Sequence, residues 1–312
     1  MPRILAKTTE ITHEKWLELR RTGLGGSDAA VVVGLSPYRS KIELWADKTN
    51  RLPDKEDNEA MRVGRDLEEY VAKRFAEASG KKVRRRNAIF RHDEYDYITA
   101  NVDREIVGEN AGLECKTTSA FARADFEGGE IPLYYYCQCC HYMNVMGYDR
   151  MYLAVLVMGR AFYWFTIERD EQECEALLEA ESAFWQDFIV PDVRPEPDGS
   201  ESAERTVRAL TPDWQEDSVP LFGEECAVNE LAKVQAEKKR LEEREKALKQ
   251  KLTLLLNGCA EGFTADWRVS CKPQTRHTVD SKRLKTRRPE IYAEYLKTTE
   301  SRVFKLSERK ES

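Results

Sequence analysis

Tyr97-Ile-Thr-Ala-Asn-Val-Asp-Arg-Glu-Ile-Val107, then Gly108-Glu-Asn-Ala-Gly112, then Leu113-Glu-Cys-Lys-Thr-Thr118 is the stretch on which the reading of this chain turns. It predicts a β-hairpin that carries Asp103 on one strand and Glu114 and Lys116 on the other. Side chains alternate faces along a strand, so Glu114 and Lys116 point one way while Cys115 points into the opposite layer. Two carboxylates and one ammonium then converge. Hard oxygen ligands for Mg²⁺, with a cation beside an attacking water or a phosphate, are what metal-assisted phosphodiester cleavage requires. The alternative is a solvated cross-strand ion pair. Glu-x-Lys recurs at Glu237 to Lys239 and Glu308 to Lys310 in a chain that is 34% charged, so the tripeptide alone decides nothing. Only the copy at Glu114 lies between apolar strand residues and follows an Asp-bearing strand.

The rest of the chain sets bounds around that hairpin. Its 312 residues suit one large domain or two smaller ones, at about 100 to 200 residues per domain. No run approaches the roughly 20 apolar residues that span a bilayer, and Met1-Pro-Arg-Ile-Leu-Ala-Lys7 has no signal-peptide core, so a soluble, cytoplasmic protein without membrane partners is expected. The 8 cysteines include the adjacent pair Cys139 and Cys140 and one mid-strand, Cys115, which suits reduced thiols better than a disulfide framework. A net charge of −6 argues against coating nucleic acid by bulk electrostatics. The charge is uneven, however. Residues 257–312 hold 13 Lys and Arg against 8 Asp and Glu, so the remainder carries −11. DNA binding would rest on local basic surfaces such as Lys81-Lys-Val-Arg-Arg-Arg86 or this C-terminal region.

Along the chain, a short helix is expected over 13–21. It is followed by Gly23-Leu-Gly-Gly-Ser-Asp28, a glycine-rich turn whose backbone N–H groups and Ser27 hydroxyl offer an anion site as the next helix opens, or simply a tight connection. Val63, Leu67, Val71 and Phe75 recur every four residues in a helix over 57–79 closed by Ser79-Gly80. Glu68 sits at the edge of that stripe, either reaching inward to a metal or standing as an ordinary boundary residue. A helix over 132–148 precedes two apolar strands, 151–158 and 161–168, joined by the two-residue turn Gly159-Arg160, and a helix follows over 170–189. This order predicts an α/β layer with a central mixed sheet flanked by helices, in a domain spanning 1–190. Prolines 191, 195, 197, 212 and 220 mark an acidic linker or extended strap over 191–223. The remainder, 224–312, reads as a charged helix to about Leu256 and a small basic α+β tail with strands near 263–272 and a helix near 281–297. In the charged helix Val234, Leu241, Leu248 and Leu255 recur every seven residues, but the companion row reads Leu231, Lys238, Glu245, Leu252. Half a seam makes a poor autonomous coiled coil, and packing against the chain's own body or a partner is the expected use.

Taken in order, Arg20, Gly25-Gly-Ser27-Asp28, Glu68, Asp103, Glu114-Cys-Lys116, Gln138 and Tyr142 resemble the YqaJ-like viral recombinase family, relatives of the lambda exonuclease within the PD-(D/E)XK nuclease superfamily. The resemblance covers residues 13–190. Its most specific segments are Gly25-Gly-Ser-Asp-Ala-Ala30 with Gly34-Leu-Ser-Pro-Tyr38, and His141-Tyr-Met-Asn-Val-Met-Gly147 with Tyr152-Leu-Ala-Val-Leu156. It implies a restriction-endonuclease-like core and a Mg²⁺-dependent 5′ to 3′ exonuclease on double-stranded DNA ends, with Mn²⁺ able to substitute. Asp103, Glu114 and the Cys115 carbonyl then look like metal ligands, with Glu68 completing the site, and Lys116 like the catalytic lysine that orients and helps deprotonate water. Gln138 and Tyr142 resemble a motif that braces the site and the scissile strand; Arg20 and Ser27 resemble a pocket for a 5′-terminal phosphate, which Arg123 would join after a one-residue shift. Where relatives show Gln-x-Gln this chain has Gln138-Cys-Cys140. The resemblance also implies a single-strand annealing protein as partner and a homo-oligomer, a trimer in the lambda relative. Two rival readings stand beside it: a flap or branch endonuclease using the same residues, and an idle DNA-binding scaffold. Cys137, Cys139, Cys140 and His141 invite an iron-sulfur reading, but neighbours on a helix diverge around its axis, so buried thiols acting as small hydrophobes are expected.

Overall fold

A computed structural model of the chain describes residues 2–54, 57–126, 128–211, 215, 217–299 and 302–307. The elements run β1 (Arg3–Lys7), α1 (His13–Arg21), α2 (Gly26–Val32), α3 (Lys41–Lys48), α4 (Glu59–Ser79), β2 (Val83–Arg84), β3 (Ala88–Arg91), β4 (Thr99–Ala100), β5 (Arg104–Ile106) and β6 (Ala111–Thr118). There follow α5 (Leu133–Met146), β7 (Arg150–Val157), β8 (Ala161–Glu168), α6 (Glu171–Phe184), α7 (Glu201–Leu210), α8 (Glu225–Leu256), β9 (Glu261–Phe263), β10 (Arg268–Ser270), α9 (Ser281–Arg287) and α10 (Pro289–Glu294). Their contacts divide the chain into two compact units, Met1–Gln215 and Glu216–Ser312. No helix among the described residues is long and apolar enough to cross a membrane.

The first unit is built on a five-stranded mixed sheet of order β2-β5-β6-β7-β8. Only β6 and β7 are parallel, and α5 makes the crossover that parallel neighbours need. Strand β7 is the centre of the core because both of its faces are covered. Met151, Leu153, Val155 and Val157 pack with Cys139 and Met143 of α5, while Tyr152 and Ala154 pack with Val71 and Phe75 of α4. Cys115 lies in the α4 layer, opposite Glu114 and Lys116, as strand alternation requires. The predicted mixed sheet between helices is the observed fold.

Several expectations need correction. The strand expected across 97–107 breaks at residues 101–103. Its first part, β4, joins β1 and β3 in a separate three-stranded sheet, and only β5 pairs with β6. Asp103 therefore sits at the bend between two sheets. The β7–β8 turn has three residues, Met158 to Arg160, because Val157 pairs with Ala161; Gly159 takes φ +68° within it. The proline-rich segment is not all extended: α7 forms within it and packs on α3. Ser202 and Ala203 are buried, and Ser202 Oγ accepts from Ser40 N at 2.9 Å.

In the second unit α8 runs for 32 residues and β9 pairs antiparallel with β10. The single helix expected over 281–297 is split into α9 and α10. Pro289 cannot donate an amide and disfavours a helical residue before it, so Arg288 leaves the helical region at φ −142°, ψ 63°.

Candidate active site

Strand β6 outruns its neighbour, and that overhang makes the site. The last β5 partner of β6 is Leu113, opposite Arg104. Beyond it the Cys115 N–H donates to Asp103 Oδ2 at 2.8 Å, so the bend before β5 is pinned to the strand that carries Glu114 and Lys116. In a strand the N–H and C=O of one residue leave from the same edge, which sends the Cys115 carbonyl toward Asp103 as well.

Glu114 is only 4% exposed. Its Oε1 accepts from Gln138 Nε2 at 2.6 Å and pairs with Lys116 Nζ at 2.7 Å, whereas its Oε2 is buried without a hydrogen-bond partner. Burial pushes the Asp103 carboxyl well above the ordinary carboxylate range, and the nearby Glu114 and Glu68 push it further. Burial pulls the Lys116 ammonium down, but Glu114 and Asp103 outweigh it, so this lysine is held above its ordinary value and stays charged near neutrality. Its Nζ also lies 5.4 Å from the centre of the Tyr135 ring. Gln138 reaches one turn along α5 to Tyr142, donating to its hydroxyl at 3.0 Å, and that hydroxyl donates in turn to Asn101 O at 3.3 Å. Tyr142 is buried and braces the bend from inside.

Glu68 comes to the same place from α4, and its partner is a residue that sequence reasoning passed over. Arg104, 2% exposed, donates from Nη1 to Glu68 Oε1 at 2.5 Å and to the Asp103 carbonyl at 2.6 Å, and from Nη2 to Glu69 Oε2 at 2.9 Å. Arg104 opens β5 directly after the bend, and no local pattern in the sequence pairs it with Glu68, 36 positions away. Arg85 adds a second cation, 3.8 Å from Glu68 and 2.9 Å from Glu69.

Arg20 and Ser27 are brought together: Arg20 Nη2 donates to Ser27 Oγ at 2.8 Å, with the guanidinium 5.2 Å from the Trp16 ring centre. Beneath them lies an unforeseen buried ion cluster. Asp28 pairs with Lys48 Nζ at 2.7 Å and Arg39 Nη1 at 3.1 Å, and Lys48 Nζ donates to Arg20 O at 2.8 Å. Burial alone would raise the Asp28 carboxyl, but Lys48, Arg39 and Arg20 hold it far below the usual range. The glycine turn is less open than expected, because Asp28 Oδ2 itself accepts from the Gly25 N–H at 3.1 Å. Gly26 ties this pocket to the carboxylates. A Cβ there would stand 2.7 Å from Tyr142 Cε1 and 3.0 Å from Gln138 Cγ. Arg123 falls in a 3₁₀ turn, Ala120–Phe126, and its side chain lies outside the described residues.

Among the described residues no three His, Cys, Asp or Glu side chains form a ready cation cage. Cys137, Cys139 and Cys140 are free buried thiols. Glu114 and Glu68 instead lean on Lys116 and Arg104. Even so, the donor set fits a divalent cation: all of it is hard oxygen, one Glu114 oxygen is orphaned, and three carboxylates repel across Asp103.

Comparison with known proteins agrees with this architecture. Residues 15–149 match the model of the YqaJ-like viral recombinase domain. The chain is 38% identical over 310 residues to the uncharacterized protein YqaJ of Bacillus subtilis (strain 168), covering 98% of this chain and 97% of that one. Among solved structures, the alkaline exonuclease LHK-Exo of Laribacter hongkongensis superposes with a TM-score of 0.50 at 19% identity, covering 63% of this chain and 99% of that one. The same exonuclease in complex with dAMP gives a TM-score of 0.50 over 58% of this chain and 94% of that one, at 19% identity. These two likenesses concern the fold.

Proposed function

Because the chain belongs to the YqaJ-like viral recombinase family, we propose that it is a Mg²⁺-dependent deoxyribonuclease that degrades double-stranded DNA from its 5′ ends. It leaves a 3′ single strand for an annealing protein. The observation that carries this reading is the convergence of Asp103, Glu114 and Glu68 beside Lys116, with Glu114 Oε2 left unpaired. Mg²⁺, or Mn²⁺ in its place, would be held by Asp103, Glu114, the Cys115 carbonyl and Glu68. It would supply charge stabilisation and an activated water for in-line attack on the phosphodiester. Lys116, as an ammonium, orients the water and the scissile phosphate. Gln138 holds Glu114 in place, and Tyr142 holds Gln138. Arg20 and Ser27 take a terminal phosphate, which sets the reading as an exonuclease apart from a flap endonuclease. An idle scaffold has no physical need for repelling carboxylates in its core.

One set of variants tests this. Asp103→Asn and Glu114→Gln are expected to abolish cleavage of linear duplex, and Lys116→Ala to slow it by roughly 10²- to 10⁴-fold. Thermal denaturation gives an independent readout. Because the Asp103 carboxyl is raised by its neighbours, its ionised form costs stability at neutral pH, so Asp103→Asn should melt no lower than wild type without metal. Mg²⁺ should raise the melting point of wild type and leave both carboxylate variants unmoved. A 5′-hydroxyl end should be degraded more slowly than a 5′-phosphate end, and Arg20→Ala should erase that difference. Active carboxylate variants would sink the metal site; equal rates on both ends would sink the terminal-phosphate pocket alone.

A further inference from the structure

Helix α8 carries an apolar row that its own unit leaves open. Val234, Leu241, Leu248 and Leu255 are each more than half exposed, and no residue of the helix is buried. Leu231 to Leu255 covers more than three heptads, a length of roughly 36 Å, enough for a two-stranded seam. The companion row is Leu231, Lys238, Glu245 and Leu252, and its two charges discriminate between orientations.

In a parallel, in-register pair, Lys238 would meet Lys238 and Glu245 would meet Glu245 inside the seam. On the flanks Glu237 would face Glu242, and Arg244 would face Lys249. All of these contacts repel. In an antiparallel pair with its two-fold axis level with Glu243, each layer joins one row of a copy to the other row of its mate. Leu231 then meets Leu255, Lys238 meets Leu248, Leu241 meets Glu245, and Val234 meets Leu252. Every layer holds a leucine, so the half-seam becomes continuous. The aliphatic stems of Lys238 and Glu245 lie across those leucines with their charges at the edge. Lys238 of one copy stands one layer from Glu245 of the other, and Glu237 faces Lys251 across the flank. Like charges meet only at the axis, where Arg244 and Glu242 lie on opposite solvated flanks and repulsion is worth little. We propose that α8 docks on α8 of a second copy of this chain as an antiparallel two-helix coiled coil.

The test uses the full chain with the exposed thiols removed (Cys226→Ser, Cys259→Ser, Cys271→Ser). Sedimentation velocity over a range of concentrations should show self-association that rises with concentration. Leu241→Asp with Leu255→Asp should weaken association at least about tenfold, since the first charge would face Glu245 of the other copy and the second would lose its water against Leu231, while the melting point of the first unit stays put. Orientation is read by oxidation. A mixture of Leu241→Cys and Glu245→Cys chains should form a mixed disulfide, and Leu241→Cys alone should crosslink poorly. A monomer at every concentration, self-association untouched by the two aspartates, or ready crosslinking of Leu241→Cys with itself would each overturn the proposal. None of these outcomes depends on nuclease activity.

Discussion

At the scale of single residues, the site is held by contacts too close to admit a methyl group or too distant in sequence to be foreseen. Gly26 is the first kind. With only 2.7 Å between its virtual Cβ and Tyr142 Cε1, Gly26→Ala must displace the tyrosine, and with it the Gln138 that fixes Glu114. Overpacking of this kind costs about 1–3 kcal/mol, so the variant should melt several degrees lower. Its turnover should fall further than its DNA affinity; equal losses in both would show general unfolding instead. Arg104 and Lys48 are the second kind. Asp103, Glu114 and Lys116 were legible because a hairpin with alternating side chains brings them together, whereas Gln138 entered only through the family resemblance. Arg104 meets Glu68 across 36 positions and Lys48 meets the Arg20 carbonyl across 28, and no local pattern encodes such pairings.

At the scale of elements, α5 is the piece on which both halves of the site hang, and a buried histidine anchors it. His141 Nδ1 lies 2.7 Å from Glu181 Oε1 of α6 and Nε2 lies 2.8 Å from the Thr99 carbonyl of β4. Both ring nitrogens face acceptors, so the ring acts as a double donor, an imidazolium. Burial pulls its pKa down, but Glu181 and Thr99 outweigh burial and hold it above the ordinary 6.5. A raised folded-state value contributes stability that is full below the unfolded value and lost as pH rises through the folded one. The melting point should therefore decline as pH rises above the ordinary 6.5. His141→Asn should be destabilised at pH 6, by about 3–5 kcal/mol for a broken buried pair, and should show a flatter profile; a parallel profile would assign that loss to another group. Helix α4 was legible because its apolar residues recur every four positions, and strands β7 and β8 because they are apolar runs joined by a short turn. Helix α7 was missed because prolines on either side read as a strap, although the Ser200 N-cap and the helical spacing of Ala203, Thr206 and Leu210 carried its signal.

At the scale of the whole molecule, the prolines and the packing place the end of the first unit differently. Composition puts it at residue 190, whereas the compact unit runs to Gln215. Between those points, Arg51 Nη1 and Nη2 donate to Asp192 at 2.7 and 2.6 Å. Ala203 joins the cluster of Ile42, Leu44 and Trp45, with Leu210 packed against it. Ser202 Oγ bridges Ser40 and Glu43, donating to Glu43 Oε2 at 2.5 Å. Cutting at 190 would expose that cluster and leave the buried Ser40 amide without its partner, a loss of about 1–3 kcal/mol for the polar group alone. For a chain of this size each kcal/mol moves the melting point by about 2–4 °C. Residues 1–215 should therefore melt like the first unit of the full chain, while residues 1–190 should melt clearly lower, and calorimetry on the two truncations decides between the boundaries. The longer truncation also lacks α8. If the antiparallel helix pair forms, 1–215 should lose the association that α8 carries and still cleave DNA ends, which separates that contact from the chemistry of this protein in one preparation.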